Sequence, residues 1–491
     1  MRFVAIRALM ALLLFMTLAA WSMGSAVGSS PDEDYVLTSI WCGTEGNPPH
    51  CRKDPDRAYT MIVPELVGLG SRCIYSGGPS QSARCQIESH TNDQVMPTSK
   101  YNRGNYPNLY FGVHRNLVSY DVTRSVMKMR LLNSLIATLL IFAITSLTRN
   151  RTDGILIILF SISAPVAFFI ISSVDTSSWA VTSAIGFALA ISVIQDNPRT
   201  TKTVLPALLF LSISVFLILS SRNEGKFILL SLGALVTIAW LTYTKKSHLK
   251  QVLIFLILVL TSILITSSRE IRSFGKFLSI RKNIELDRFG NTSHSLLVEN
   301  ILDVPNSLLG FFGFWGLGNY DVNLPSLVWF LLLFNFYWII AFIFKELNKN
   351  LRFIGYGFLG VIPLLTLELN QQFQTNISRL VQPKYLLPFL LGVIILLASF
   401  IKSEAPRSLT SKISIFAVIA NSVSLRTTLR RYTTGSEIDW VRPLNNSVAW
   451  WWEFGPSPEF VWLAGTISFA ILLALLESAR SQNLAADKGF Q

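Results

Sequence analysis

Windows of about twenty consecutive apolar residues recur along this chain from residue 4 to residue 477. A helix of that length crosses the roughly 30 Å hydrocarbon core of a bilayer, and there each backbone polar group needs a partner within the protein. Of all residues, 51% are hydrophobic and 14% are charged, whereas about a quarter are charged in a typical soluble domain. The pattern predicts an all-α polytopic membrane protein.

We predict about twelve transmembrane helices. They lie near residues 4–28, 129–148, 154–172, 179–195, 203–220, 227–244, 251–267, 326–344, 353–367, 385–401, 411–425 and 460–477. The signal is weakest at 411–425, because Arg426, Arg430 and Arg431 follow a short apolar run. A tilted helix, a re-entrant segment and a helix that projects beyond the membrane all remain open there.

Lys and Arg gather in every second short connection between these spans. Basic pairs such as Lys245 with Lys246 and Lys345 with Lys349 fall on one side, which the positive-inside rule assigns to the cytoplasm. Both termini are then cytoplasmic, with 479–491 as a tail. We expect residues 1–28 to be a retained first helix, with a cleaved signal peptide as the alternative. The net charge of +13 fits this topology and membrane lipids as partners, and gives no case for nucleic acid.

Four longer segments fall on the opposite, extracytoplasmic side. They are the loop lobe 29–128 before the spans of 129–267, the loop 268–325 before the spans of 326–478, and the loops 368–384 and 426–459. All four cysteines lie in the first of them, at Cys42, Cys51, Cys73 and Cys85. An even number outside the cytoplasm indicates two disulfides. Three pairings are possible, and the local pairs Cys42 with Cys51 and Cys73 with Cys85 are the simplest. A zinc site is the alternative interpretation of these cysteines.

Three consecutive acids follow the first span, in Pro31-Asp32-Glu33-Asp34. Carboxylates that repel one another beside the bilayer have raised pKa values when covered, and a general base of that kind can deprotonate an acceptor hydroxyl. The alternative is that Pro31 ends the helix and the acids are only solvated. A phosphate-bearing substrate would need cations near the same membrane surface, and Arg222, Arg379 and Lys384 are candidates. The alternative is that they only snorkel, as Lys and Arg near span ends commonly do.

Tryptophan, histidine and the ionisable residues within the spans give weaker indications of function. Tryptophans gather near span ends, which is typical of an interfacial belt; Trp450, Trp451 and Trp452 are the best candidates for stacking on a sugar ring. The histidines show no metal-binding spacing, so we predict no protein-only metal site. Ionisable residues are scarce in the spans, which disfavours an ion-coupled carrier.

Four motifs in order along the chain resemble the bacterial membrane family called domain of unknown function 2142, in its actinobacterial form. They are Pro31-Asp32-Glu33 with Trp41-Cys42, Ser172-Ser173-Val174-Asp175, the glycine-rich Gly313–Gly318 with Trp315 and Asp321, and Gln382-Pro383-Lys384-Tyr385. This family is similar in architecture to GT-C glycosyltransferases, which take sugars from polyprenyl-phosphate donors at the outer face. The resemblance therefore implies a GT-C-like fold in the plasma membrane of a bacterium.

The same resemblance implies site residues. It makes Asp32, beside Glu33, the catalytic base, and Lys384 the basic residue before the tenth span, where the family usually has Arg. Together with the cations chosen above for their positions beside the spans, it assigns substrate binding to Arg222, Arg379, Lys384, Trp315 and Asp321. The family commonly has His where this chain has Val36, so a role for that His is not carried over.

These observations lead to one main hypothesis. The chain is a membrane glycosyltransferase that moves a sugar from a polyprenyl-phosphate donor to a cell-envelope glycan or lipid acceptor at the outer face. A divalent cation held together with the donor phosphate is the one cofactor this allows. The alternatives are a non-enzymatic transporter or flippase of lipid-linked glycan, and a scaffold for envelope assembly.

Overall fold

Long apolar stretches of the chain form helices in the computed structural model. It describes residues 2–44, 46–70, 72–78, 80–90, 94–148, 152–196, 201–243, 293–372, 382–401, 403–436, 443–445, 452 and 455–488. The first helix, α1, is Arg2–Met23, and the last, α18, is Pro458–Lys488. Between them lie α7 Val122–Thr145, α8 Thr152–Ser163, α9 Val166–Ile171, α10 Thr176–Asp196, α11 Thr201–Ser221, α12 Gly225–Tyr243, α13 Ser293–Gly310, α14 Ser326–Glu346, α15 Lys349–Gln372, α16 Pro383–Ser399 and α17 Arg407–Thr433.

Nine helices of the described part are long and apolar enough to cross a membrane: α1, α7, α10, α11, α12, α14, α15, α17 and α18. Helices α8 and α16 are apolar but shorter, with 12 and 17 residues. The predicted span 251–267 lies outside the described residues. The mostly helical, multi-pass membrane architecture is therefore confirmed.

Two spans differ in detail from the sequence prediction. Helix α17 continues through Arg426 to Thr433 and has 27 residues, which is about 40 Å at 1.5 Å per residue. Its length therefore exceeds the thickness of the hydrocarbon core. This agrees with the alternative in which the helix projects beyond the membrane. The predicted span 154–172 is divided into α8 and α9 at Ala164-Pro165, because proline lacks the N–H that would continue the helix.

Helix α10 lies at the centre of the bundle. It packs against α7, α11 and α16, and its apolar window is entirely buried. By contrast, α11 exposes Leu205, Leu209 and Phe216, which suits a helix that faces lipid. The connection that precedes α10 meets the first turn of α16 at one end of the bundle, and that end carries the candidate site.

Residues 24–121 form a lobe at that end. It contains α2 Glu33–Cys42, α3 Glu65–Leu69, α4 Arg72–Ser76, α5 Arg84–His90 and α6 Leu109–Arg115, with strands β1 Arg52–Lys53, β2 Met61–Pro64 and β3 Val95–Thr98. The strands form an antiparallel sheet in the order β1-β2-β3, with Met61 opposite Thr98. The sequence prediction did not include this sheet. Disulfides join Cys42 to Cys51 and Cys73 to Cys85, so the predicted disulfides are present as the local pairs.

Candidate functional site

Lys384 is the centre of a buried polar cluster where the lobe meets the bundle. Its ammonium donates hydrogen bonds to the carbonyl of Pro31, to Asp32 Oδ2 and to Asp175 Oδ2, each 2.9 Å long. Lys384 is in the first turn of α16, and Asp175 directly precedes α10. An ammonium has three N–H donors, so these bonds use all of them. Two carboxylates from different segments therefore share one cation.

Asp32 differs from its two neighbours in accessibility. Its side chain is 55% exposed, whereas those of Lys384 and Asp175 are 5% and 3% exposed. The residue caps the N-terminus of α2 with a left-handed backbone, at φ 66°, a conformation that is uncommon for residues other than glycine and recurs at functional sites. Both side-chain bonds of Asp32, from Lys384 and from the Tyr385 hydroxyl at 3.3 Å, end at Oδ2. Oδ1 has no hydrogen-bond partner among the described residues.

Arg222 extends the cluster from the connection between α11 and α12. Its Nε and Nη2 donate to the two oxygens of Glu224 at 3.2 and 3.3 Å, and its Nη1 donates to Ser177 Oγ at 2.5 Å. Ser177 in turn donates its backbone N–H to Asp175 Oδ1 at 2.7 Å. Ser177 therefore connects the ion pair of Arg222 with Glu224 to the ion pairs that Lys384 forms with Asp32 and Asp175. We call Asp32, Asp175, Arg222, Glu224 and Lys384 the Lys384 cluster.

Tyrosine rings cover this cluster. The guanidinium of Arg222 lies 4.7 Å from the ring centroid of Tyr385 and 6.0 Å from that of Tyr106. Tyr35 meets Tyr106 edge to face, with 5.9 Å between centroids. Burial raises the pKa of Tyr106 despite the opposing charge of Arg222, so this hydroxyl keeps its proton. The cluster therefore has neutral hydroxyls and aromatic faces around its charges, and both suit contacts with a sugar.

The pKa of Asp175 is set by two opposing effects. Burial alone would raise it, but the charges of Lys384 and Arg222 outweigh burial and hold the pKa of this carboxyl below its usual range. The same balance applies to Glu224: burial raises its pKa, but the charge of Arg222, its hydrogen bonds and the charge of Lys384 together bring the pKa below its usual range. Both acids are therefore ionised at neutral pH, and the cluster combines two cations with three carboxylates.

Trp315 belongs to the glycine-rich turn after α13, which packs beside the cluster. Its indole N–H donates to the Asn306 carbonyl at 2.9 Å, and its ring lies 6.2 Å from that of Tyr320. Burial raises the pKa of Tyr320, with Lys384, Tyr385 and Asp32 among the charges that act on it. A Cβ at Gly310 would collide with the ring of Pro383, so this turn lies against the start of α16. Trp315 thus packs against Tyr320, whose hydroxyl is close enough to the cluster to be affected by its charges.

Glu33 is placed differently from Asp32. It is fully buried and pairs with the equally buried Arg130 of α7, 3.1 Å away. Glu33 also accepts the backbone N–H groups of Ser30 and Val174, and Arg130 donates to the carbonyls of Ser22, Ser25 and Ala26 at the end of α1. The pair fastens α1, α2 and α7 to one another. Glu33 therefore supports the backbone that presents Asp32, and its carboxylate does not face solvent.

The remaining candidates lie apart from Lys384 or outside the described residues. Asp321 pairs with Arg431 of α17 at 3.2 Å and accepts the Tyr432 hydroxyl at 3.2 Å, and so links the glycine-rich turn to the bundle. Arg379 lies outside the described residues, as do Trp450 and Trp451. Trp452 is only 2% exposed and donates to the Met23 carbonyl, so it is not available to stack on a sugar. Val36 is 3% exposed and belongs to the core.

A metal does not fit these residues. The described part of the chain has no group of three or more His, Cys, Asp or Glu side chains that could hold an ion. Asp32 and Asp175 already share the ammonium of Lys384, and this positive charge would repel a divalent cation between them. We therefore derive no step through a protein-bound metal.

Comparison with known protein families found a match for most of the chain. The model of a family described as predicted membrane protein, DUF2142, matches residues 15–393, and this range includes every member of the Lys384 cluster. The chain belongs to the DUF2142 family. No curated protein and no solved structure matches it. As a DUF2142 member the chain is a membrane protein.

Sequence reasoning missed two members of the site region. Asp175 was part of a recognised motif, but its distance from Lys384 along the chain hid the contact. Arg130 was overlooked inside a predicted span, although an ionisable residue at such a position is a signal in itself. Tyr385 belongs to the motif around Lys384, but the sequence assigned no role to it or to Tyr106, because tyrosine is common near membrane interfaces.

Proposed function

We propose that this protein is a membrane glycosyltransferase of the GT-C type, which transfers a sugar from a polyprenyl-phosphate donor to a cell-envelope glycan or lipid acceptor on the side of the lobe. One observation carries the proposal. Asp32 presents a half-exposed carboxylate at the membrane end of the lobe, with one oxygen bound to a buried cation and no described partner for the other. That is the arrangement a general base needs beside a charged leaving group.

In the proposed reaction Asp32 accepts the proton of an acceptor hydroxyl. The acceptor oxygen forms a bond to C1 of the sugar while the bond from C1 to the phosphate oxygen breaks. The electron pair of that bond leaves with the polyprenyl phosphate, which gains negative charge. Electrostatic stabilisation of such developing charge is commonly the largest part of catalysis, so a cation must lie near the leaving oxygen.

Lys384 is our choice for that cation. Its three N–H donors are all in use, so a phosphate must replace one of its partners. Asp175 is buried and tied to Ser177, whereas Asp32 is half exposed. We therefore expect the donor phosphate to displace Asp32 from Lys384. The same event would free Asp32 as a base only when the donor is bound.

Arg222 and Arg379 have supporting roles in this proposal. Arg222 is held by Glu224 and Ser177, so it neutralises the region without changing partner. Two cations against three carboxylates leave the Lys384 cluster without surplus positive charge, and Arg379 in the connection before α16 is the proposed further contact for phosphate. Trp315 and Tyr320 would cover the bound donor, and Asp321 would hold their turn in place through Arg431.

A matched pair of variants tests the proposal. Asp32→Asn removes the base, while Asp34→Asn removes a neighbouring acid that pairs with the exposed Lys100 instead of Lys384. In a deletion strain complemented with each variant, mass spectrometry of envelope glycans should show one linkage missing with Asp32→Asn and present with Asp34→Asn. With purified protein and a polyprenyl-phosphate sugar extract, release of polyprenyl phosphate should fall by about a hundredfold or more in Asp32→Asn.

The same experiment separates the other functions. Normal glycans from Asp32→Asn at normal protein levels would refute the proposed base. A labelled lipid-linked glycan that crosses vesicles with its glycan unchanged would identify a flippase instead. Loss of glycan in the deletion strain, fully restored by both variants, would favour a scaffold.

A further inference from the structure

The lobe has a second polar site on its outer part, in a surface pocket of about 410 Å³. That volume is within the range of small-molecule sites. The pocket is formed by the end of β1, the segment between β1 and β2, the turn that follows β3, and Thr44 after α2. Its lining residues are Thr44, Lys53, Asp54, Arg57, Ala58, Tyr59, Thr60, Tyr101 and Arg103. None of them belongs to the Lys384 cluster.

Positive charge and aromatic faces meet in this pocket. The guanidinium of Arg103 lies 5.1 Å from the ring centroid of Tyr59 and 5.3 Å from that of Tyr101. Its Nη2 donates to the carbonyls of Tyr59 and Ser99 at 3.1 and 3.0 Å. Its Nε and Nη1 have no acceptor among the described residues. Arg103 is therefore fixed in position with donors left over for a ligand.

Two further features indicate a built site. Tyr59 has a left-handed backbone, at φ 59°, and its side chain is 71% exposed; strain of this kind gathers at ligand-binding positions. Arg57 is exposed as well, and no described residue forms an ion pair or a hydrogen bond with its guanidinium. An exposed aromatic ring and an unpaired guanidinium line the same pocket.

We propose that this pocket binds an acidic saccharide. Three cations, Lys53, Arg57 and Arg103, favour a carboxylate or phosphate group, while Tyr59 and Tyr101 offer faces for a sugar ring. Asp54 and the threonine hydroxyls add acceptors for sugar hydroxyls, which a simple anion site does not need. The lining has no Leu, Ile, Val, Met or Phe, and its aromatic side chains are those of Tyr59 and Tyr101.

The pocket is connected to the Lys384 cluster by a single turn. The backbone N–H of Asn102 donates a 2.8 Å hydrogen bond to Ser39 Oγ of α2, and the side-chain oxygen of Asn102 accepts the N–H groups of Gly104 and Tyr106. Tyr101 and Arg103 at one end of this turn line the pocket, and Tyr106 at the other end faces Arg222. The idea that the bound saccharide is the acceptor rests on the proposed glycosyltransferase function. The proposal that the pocket binds an acidic saccharide does not depend on that function.

Direct binding to the purified full chain in detergent tests the site. The probes are trigalacturonic acid, neutral maltotriose of equal length, and a triglutamate peptide, each titrated by calorimetry or thermophoresis. We expect trigalacturonic acid to bind more tightly than the other two, and more weakly as salt is raised. Arg57→Glu and Tyr59→Ala should each weaken its binding, the charge reversal by about tenfold. Both side chains are exposed, so neither change disturbs the core.

Arg52→Glu is the matched control. Arg52 is also exposed, is the chain neighbour of Lys53 in β1 and does not line the pocket, so its reversal should change affinity by less than about twofold. Equal binding of trigalacturonic acid and maltotriose, equal effects of Arg57→Glu and Arg52→Glu, or equal binding of triglutamate would each overturn the proposal. Asp32→Asn should bind the probe as wild type does. If that variant also keeps full transfer activity, the glycosyltransferase proposal fails while the saccharide site stands.

Discussion

Lys384 donates a 2.9 Å hydrogen bond to Asp175, which lies 209 positions earlier in the chain, and both side chains are buried. The contact joins the first turn of α16 to the connection before α10, two helices that pack against one another. Asp32 of the lobe accepts from the same ammonium. The position of the exposed carboxylate is therefore set by a buried ion pair within the bundle.

Lys384→Met should lower both stability and activity. It leaves Asp175 buried without its nearest cation, and breaking a buried pair in this way typically costs about 3–5 kcal/mol. The double variant Lys384→Met/Asp175→Asn removes the unpaired charge, so it should regain much of the lost unfolding temperature in detergent. Transfer activity should stay absent in both, because the leaving phosphate has lost its cation. Recovery of activity in the double variant would exclude Lys384 from the reaction.

Asp175→Asn should show a stability loss that depends on pH. Burial by itself would raise the pKa of Asp175, but the charges of Lys384 and Arg222 have the opposite effect and hold the pKa below its ordinary value of 3.8. A carboxyl with a lowered pKa stabilises the fold above its unfolded-state pKa, and this contribution is lost as pH falls through the folded-state pKa. Wild type should therefore unfold at a higher temperature than Asp175→Asn by a constant margin between pH 8 and pH 5. The margin should shrink below about pH 4, and a margin unchanged at pH 3 would contradict this.

Glu33→Gln should destabilise the protein, and Arg130→Met should do so more strongly. Arg130→Met leaves the Glu33 charge buried without a cation and also frees three carbonyls at the end of α1; the expected cost is about 3–5 kcal/mol. Thermal unfolding and the yield of membrane-inserted protein measure it. Asp34→Asn, which alters an exposed pair, should behave as wild type. A fully stable Arg130→Met would show that the pair does not hold the lobe to the bundle.

The two disulfides should protect all four cysteines from thiol reagents. Maleimide labelling of the denatured, unreduced protein should give no modified cysteine, and labelling after reduction should give four. Replacing Cys73 and Cys85 with Ser should lower lobe stability by about 2–5 kcal/mol, read as a lower unfolding temperature. Labelling without reduction would contradict the pairs Cys42–Cys51 and Cys73–Cys85.

Several features of the fold could be predicted from local patterns. Apolar stretches of suitable length predicted helices such as α10 and α14, because a bilayer leaves a backbone almost no other structure. The local cysteine pairs were the simplest choice since their separations of 9 and 12 residues are short. Asp32 and Lys384 were both named as candidates, from their positions beside spans and from the family resemblance.

The different environments of Asp32 and Glu33 could not be predicted. The two acids are adjacent, but the start of α2 turns one toward solvent and the other into a fully buried pair with Arg130. The burial of Trp452 likewise depends on a neighbour that is distant in sequence, because its indole N–H donates to the Met23 carbonyl.

The sequence by itself determined the membrane class, most of the helices, the disulfide-bonded segment and the candidate residues, because hydrophobic length and residue chemistry are local properties. Only the tertiary structure decided that Asp32, Asp175 and Lys384 form one cluster, that Glu33 is structural, and that Arg57, Tyr59 and Arg103 line a common pocket. Such contacts join segments far apart in the chain, and they are fixed by how the helices and the lobe pack rather than by any single stretch of residues.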